Sequence, residues 1–140
     1  YFNHEQLRKN NISIDDPIKI IKNYLPKVEG ISSVFTKDEI IKSEKTDAIT
    51  IRLKNMIHPD KSADVFVIAA EGYLYRSSYG TSHGTPYDYD AHVPLLFARE
   101  GRKKRHIGLH AETVDIAPTI LDLLDIQTKI NLDGNILFIK

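Results

Sequence analysis

The segment 80–90, with the sequence GTSHGTPYDYD, constrains the local backbone more than any other part of this chain. His83 lies between small residues and glycines, which let the backbone turn sharply and let another surface approach closely. Pro86 fixes one of its own backbone dihedrals and pushes the preceding residue toward an extended conformation. The hydrophobic run VPLLFA follows and predicts a strand over 93–98. The pattern therefore predicts a histidine held on a stiff loop beside a sheet, which suits a metal ligand or a catalytic base.

Composition indicates an ordinary globular protein without a bias toward one class of partner. The chain has 140 residues, enough for one core or two small lobes, and it is 41% hydrophobic and 27% charged. Its 19 basic residues balance 19 acidic ones, so charge indicates neither a nucleic-acid nor a membrane partner. The basic run 102–105 is interpreted as a solvated loop. Because cysteine is absent, a metal site here would use His, Asp or Glu.

The first part of the chain, residues 1–76, predicts a small α+β lobe with helices on one face of a sheet. Asp15, Asp16 and Pro17 favour a helix start, and Gly30 favours its end. The predicted elements are a helix over 15–28, a strand over 31–35, a short helix beginning with a capping box of Thr36 and Glu39, a helix over 47–57 with Ile49, Leu53, Met56 and Ile57 on one side, and a strand over 65–70.

The second part, residues 77–140, contains the histidine loop and a strongly apolar helix predicted over 115–125. Asp115 is predicted to be the N-cap of that helix, and Pro118 is tolerated in its first turn. Such a helix is expected to pack on a sheet, for which the run 93–98 and a short strand over 136–139 are the candidates.

The loop 80–90 closely resembles the histidine–glycine loop of the alkaline phosphatase superfamily. The similar branch groups type I phosphodiesterases, nucleotide pyrophosphatases and the phosphate-irrepressible alkaline phosphatases; the last group carries almost the same loop, with serine more usual where Thr85 stands. Nearly the whole chain takes part in the resemblance. Further matches occur in order at Tyr1-Phe2-Asn3, Ser62-Ala63-Asp64-Val65, Val114-Asp115-Ile116-Ala117-Pro118-Thr119 and Asp133-Gly134.

The resemblance implies an α/β fold in which 1–76 is part of an α+β cap and 77–140 is the C-terminal part of a sheet-with-helices catalytic core. Members of the family are several times longer and carry a threonine or serine nucleophile and most metal ligands upstream. The chain is therefore expected to be a C-terminal fragment of a larger hydrolase, partnered by the missing N-terminal part. The resemblance also implies a periplasmic or secreted location, which the chain itself does not encode in a readable signal.

The chemistry implied by the resemblance is phosphate-ester hydrolysis at two zinc ions, through a covalent phosphoryl-enzyme. His83 would complete the coordination of the zinc that stabilises the attacking water or the leaving group. The loop is more similar to the monoesterases than to the nucleotide pyrophosphatases. No catalytic nucleophile and no other cofactor-binding residue is assigned within this chain, so the fragment alone is expected to be inactive.

Each residue of the loop also has a structural interpretation. His83 is equally able to bond the backbone of its own loop, and Asp88 and Asp90 either support the imidazole ring or form turns. Tyr87 and Tyr89 either line a pocket or pack. Other candidates are interpreted structurally: His58 as a helix end, His92 as a surface or supporting residue, and His106 and His110 as solvated. Tyr73 and Tyr75 either face the cleft or, as the default, pack in the core.

Two other functional interpretations stay open. The chain is also compatible with a non-catalytic interaction or scaffold module that keeps the fold without the activity. A sulfatase or phosphomutase relative is the weaker possibility, because the continuation Pro86-Tyr87-Asp88-Tyr89-Asp90 does not fit those patterns.

Overall fold

The computed structural model describes residues 1–75, 79–101 and 103–139. They fall into two compact units, Tyr1–Val93 and Pro94–Lys140. The helices are α1 His4–Lys9, α2 Asp15–Tyr24, α3 Lys37–Lys42, α4 Ala48–Met56, α5 Asp88–Ala91 and α6 Ile116–Leu123, and the strands are β1 Ile31–Thr36 and β2 Val65–Ala69. None of the described helices has the length and apolar character that crossing a bilayer requires. The division into a cap over 1–76 and a core over 77–140 concerns a whole enzyme and stays a prediction.

Strands β1 and β2 pair antiparallel in the first unit, which confirms the two strands predicted there. Phe35 lies opposite Phe66, and Thr36 opposite Val65, so aromatic and β-branched side chains meet across the pair. The register shifts between Ile31 and Ser33, where the ladder is irregular.

Local side-chain caps explain where two of the helices begin. At α3, Thr36 Oγ1 accepts a hydrogen bond from the Glu39 N–H at 3.2 Å, and the Glu39 carboxylate accepts one from the Thr36 N–H at 2.8 Å. This reciprocal pair confirms the predicted capping box. At α4, Asp47 accepts a hydrogen bond from the Thr50 N–H at 3.0 Å, as expected of an N-cap aspartate.

The core of the first unit is a small cluster around α3, α4 and β2. Ile40, Leu53 and Ile68 are buried, and they are flanked by partly buried Phe35, Ile49, Ile57 and Phe66. Met56, which was predicted to share one side of this helix with Ile49, Leu53 and Ile57, is the last residue of α4 and is 61% exposed. The apolar face of α2 is only partly buried, because no residue of this helix is fully buried.

The second unit is organised around α6, which is shorter than the predicted helix over 115–125. The helix ends at Leu123, and Asp125 adopts a left-handed conformation with φ of 53°, which terminates it. Thr119 is fully buried, and its hydroxyl accepts a hydrogen bond from the Leu137 N–H at 2.9 Å. The segment after the turn at 133–134 is thereby attached to the helix.

The predictions of strands over 93–98 and 136–139 were wrong, since the structure has no strand in either segment. The described part of the chain forms one sheet, and it contains only β1 and β2. Leu96 and Phe138, which the prediction placed within strands, are each 86% exposed. A strand requires a neighbouring backbone to pair with its N–H and C=O groups. An apolar run shows that a segment is suited to a buried strand, but it does not supply the pairing partner.

Candidate metal-binding loop

Two glycines in unusual conformations present His83 on the surface of the first unit. Gly80 has a φ of 136° and Gly84 a φ of 112°, conformations that residues with a Cβ rarely adopt. His83 lies between them with an exposed side chain, and Pro86, just beyond, is buried. The expected glycine-flanked turn is therefore present, with its histidine open to solvent rather than packed in an apolar core.

Asp90 closes the loop that follows His83. One of its carboxylate oxygens, Oδ2, accepts hydrogen bonds from the N–H groups of Thr85 at 2.6 Å and of Gly84 at 2.7 Å. Chiefly through the Thr85 N–H, these bonds lower the pKa of Asp90, with a smaller contribution from the nearby His83 ring. Asp90 thus closes the loop by bonding backbone N–H groups five and six positions earlier, which differs from the local aspartate turn of the structural interpretation.

Tyr87 and Tyr89 anchor the loop rather than lining an open pocket. Their rings stack with centroids 5.8 Å apart and an interplanar angle of 15°. The Tyr87 hydroxyl donates to the carbonyl of Ala69, the last residue of β2, at 2.8 Å. The Tyr89 hydroxyl accepts a hydrogen bond from the Gly72 N–H at 3.3 Å. These contacts favour the packing interpretation of both tyrosines.

Arg52 holds the loop from α4, a contact that no pattern in the sequence indicates. Its Nη1 donates to the Pro86 carbonyl at 2.8 Å, and its Nη2 lies 2.7 Å from Asp88 Oδ1. Asp88, one of the two candidates for supporting the His83 ring, is therefore paired with an arginine. The partners are 34 and 36 positions away along the chain, too far for a local pattern to reveal them.

Tyr73 and Tyr75 lie against the turn that precedes β1. The Tyr73 hydroxyl donates to the Glu29 carboxylate at 3.1 Å, and the Tyr75 hydroxyl donates to the Glu29 carbonyl at 2.6 Å. Gly30, with a φ of 82°, lies directly beneath them, and a Cβ added there would meet the Tyr73 ring at 2.3 Å. Both tyrosines therefore pack against this turn and not in the core as predicted, since they are 44% and 56% exposed.

Asp115 is buried in the second unit and occupies the predicted N-cap position of α6. Its side chain, however, makes no cap hydrogen bond to that helix. Its carboxylate instead accepts hydrogen bonds from the Asn135 N–H at 2.7 Å and from the Glu112 N–H at 2.8 Å. These two bonds, that of Asn135 first, lower the pKa of Asp115. A turn of 3-10 helix, Thr113–Asp115, precedes α6 and carries Asp115 at its end, and the side chain bonds the Glu112 N–H instead of an N–H group of α6.

The remaining histidines are exposed or contact residues other than His83. His92 and His106 are exposed. His58 Nδ1 accepts a hydrogen bond from the Asp60 N–H at 3.1 Å, just after α4. His110 lies 3.7 Å from the Glu112 carboxylate, and His4 Nε2 lies 2.9 Å from Asp64 Oδ1, a contact that sequence reasoning did not anticipate.

The described residues offer His83 as a candidate metal ligand, but they do not form a complete metal site. Over residues 1–75, 79–101 and 103–139, no three His, Asp or Glu side chains are grouped so that they could hold an ion. The exposed imidazole of His83 suits zinc, which prefers nitrogen, sulfur and carboxylate donors. A catalytic zinc takes three protein ligands, so a site that includes His83 would need at least one donor from outside the described residues.

Comparison with known proteins identifies the relatives of this chain. No protein-family model matches it. It is 34% identical over 128 residues to the alkaline phosphatase PafA of Elizabethkingia meningoseptica, covering 91% of this chain and 23% of that protein. It is 29% identical over 138 residues to a calcium-transporting ATPase of Myroides odoratus, covering 97% of this chain and 25% of that protein. The chain therefore spans only a small part of the length of the relatives it matches.

The fold agrees with the sequence comparison. The crystal structure of wild-type PafA superimposes with a TM-score of 0.79 at 34% identity, over 91% of this chain and 25% of that chain. The helices and the small sheet thus reproduce part of an alkaline phosphatase fold, which confirms the predicted fold class. The chain belongs to the alkaline phosphatase superfamily, as a segment much shorter than the members it matches.

Proposed function

We propose that this chain is the C-terminal part of a zinc-dependent phosphate-ester hydrolase in which His83 is one metal ligand. The observation that carries the proposal is the exposed His83 between two glycines of positive φ, on a loop fixed by Asp90 and Arg52. That loop belongs to a chain 34% identical to an alkaline phosphatase. The nucleophile and the other ligands then come from the part of the parent protein that precedes this segment.

Each residue of the loop has a definite part in the proposal. When bound, zinc supplies charge stabilisation to oxygens around the phosphorus atom. His83 offers a nitrogen lone pair for the ion, and the flanking glycines keep the approach to that nitrogen free of side chains. Asp90 holds the backbone after His83 in one conformation, so that less conformational freedom is lost on binding. Arg52 fixes the next turn.

The finer assignments are also proposals. Two zinc ions, a preference for monoesters over diesters, a periplasmic or secreted location, and a cap formed by residues 1–76 all follow from the family resemblance. The ATPase name of one relative makes a phosphoanhydride such as ATP the second substrate class to test. The isolated segment of 140 residues should be inactive, because one histidine cannot hold zinc tightly.

The proposal is tested by assaying the full-length protein that carries this segment, with zinc supplied. A chromogenic phosphate monoester should be hydrolysed faster than a diester or ATP. His83→Ala should lower kcat by more than about 100-fold, since even outer-shell changes cost metal enzymes 10–100-fold. His106→Ala is the matched control, because it removes another exposed histidine, and it should change kcat little.

Three results would contradict the proposal at different points. A fully active His83→Ala protein would remove the ligand assignment. Robust zinc-dependent turnover by the isolated segment would show that the remainder of a parent protein is not needed. A full-length protein that hydrolyses none of the three substrates with zinc would favour the non-catalytic interaction or scaffold module.

A further inference from the structure

Arg52 joins α4 to the His83 loop through two contacts made by one guanidinium group. It donates to the Pro86 carbonyl at 2.8 Å and lies 2.7 Å from the Asp88 carboxylate. The Arg52 side chain is 32% exposed, whereas that of Asp88 is 86% exposed. An ion pair so open to solvent contributes little to stability, because water and salt screen it. The consequence of the contacts is therefore geometric, since a planar guanidinium fixes the directions of two partners at once.

The helix that carries Arg52 is held in place by the core of its unit. Leu53, the next residue, is 5% exposed and packs in the cluster with Ile40 and Ile68. Moving the backbone of Arg52 would disturb this packing. Arg52 therefore extends from a fixed element to a loop, which is how a protein restricts a functional side chain that a loop alone would leave mobile.

The contacts of Arg52 reach the immediate neighbourhood of His83. Pro86 lies three positions after His83, and the two residues between them, Gly84 and Thr85, are held by Asp90. Every residue from the one after His83 to Pro86 thus has a backbone group engaged in a hydrogen bond. Pro86 is also buried. The His83 imidazole therefore extends from a turn in which the residues that follow it, 84–86, are held in place.

We propose that Arg52 is a positioning residue for His83, setting the direction of the imidazole by fixing Pro86 and Asp88. This inference rests on the proposed function, in which His83 binds zinc. Residues that orient a metal ligand typically contribute 10–100-fold to metal affinity or activity. Arg52→Ala should accordingly weaken zinc binding and lower kcat, with a smaller effect on the KM for the phosphate ester, because Arg52 is not assigned a contact with substrate.

The test measures zinc affinity of the full-length protein by competition with a chelator. Arg52→Ala should bind zinc about 10-fold more weakly. Arg52→Lys should lose less, because a lysine reaches one of the two acceptors but cannot bridge both. Arg8→Ala, which removes an exposed arginine from α1, is the matched control and should leave the affinity unchanged. Hydrogen exchange at the Gly84 and Thr85 amides should be faster in Arg52→Ala, at a Tm close to that of the unaltered protein.

The outcomes separate this inference from the proposed function. A folded Arg52→Ala protein with unaltered zinc affinity and unaltered exchange at Gly84 and Thr85 would overturn the positioning role, even if His83→Ala abolishes zinc binding. A His83→Ala protein with unaltered zinc affinity would overturn both. If Arg52→Ala fails to fold, Arg52→Lys decides: weaker zinc binding at an unchanged Tm supports the inference, and unaltered binding overturns it.

Discussion

Single aspartates fix two loops of this chain by accepting backbone N–H groups that no helix or strand satisfies. Asp90 does so for the turn after His83, and Asp115 does so for two segments of the second unit. In both cases the bonds favour the charged carboxylate and lower its pKa. Each loop therefore depends on the ionisation of one side chain.

Asp115 should make the second unit sensitive to acid. Because its pKa is lower in the folded chain than in the unfolded chain, its stabilisation is complete above the ordinary aspartate value of about 3.9. It is lost as the pH falls through the lower folded pKa. The NMR shifts of the Asn135 and Glu112 amide protons should titrate together in that range, and Asp115→Asn should abolish the titration and destabilise the unit at neutral pH.

The control for this experiment is Glu100→Gln, which neutralises an exposed carboxylate in the same unit. It should leave the two amide titrations in place. If the Asp115→Asn chain is as stable at neutral pH as the unaltered chain, the carboxylate does not hold these segments.

At the scale of helices and strands, the features that could be predicted from the sequence are those that depend on residues close together along the chain. The capping box of Thr36 and Glu39 lies within four residues, so its pattern is visible in the sequence. The strand over 93–98 was wrong because its formation depends on a partner backbone and not on its own apolar residues. The candidate site shows the same division. The glycine-flanked turn at His83 was predictable, whereas Arg52 is brought to Pro86 by tertiary packing of α4.

Helix α4 should depend on one side chain for its attachment to the sheet. Leu53 is 5% exposed within the core cluster, whereas Ile51, two positions earlier on the same helix, is 44% exposed. Leu53→Ala should lower the free energy of unfolding by about 2–5 kcal/mol, through lost burial and a residual cavity. Ile51→Ala should lower it by about 1 kcal/mol or less.

Urea unfolding of the two variants beside the unaltered chain measures both changes, and the m-value should stay constant. Equal losses from the two substitutions would show that the cluster of Ile40, Leu53 and Ile68 is not the core of this unit.

At the scale of the whole molecule, the proposed metal site is incomplete within the described residues. His83 is presented on a fixed turn, while no three His, Asp or Glu side chains of the described residues are grouped so that they could hold an ion. The comparisons agree with this incompleteness, since the chain corresponds to 23% of PafA by sequence and 25% of its solved chain by fold. On the proposed function, the chemistry belongs to a longer protein, to which this segment would contribute one ligand and the residues that orient it.

The most direct test of that account is the zinc affinity and stoichiometry of the full-length protein, measured by equilibrium dialysis for the unaltered, His83→Ala and His106→Ala forms. We expect two zinc ions per chain, one of them bound at least about 10-fold more weakly after His83→Ala, and no change after His106→Ala. Equal zinc affinity and stoichiometry in all three proteins would contradict the assignment of His83 as a metal ligand.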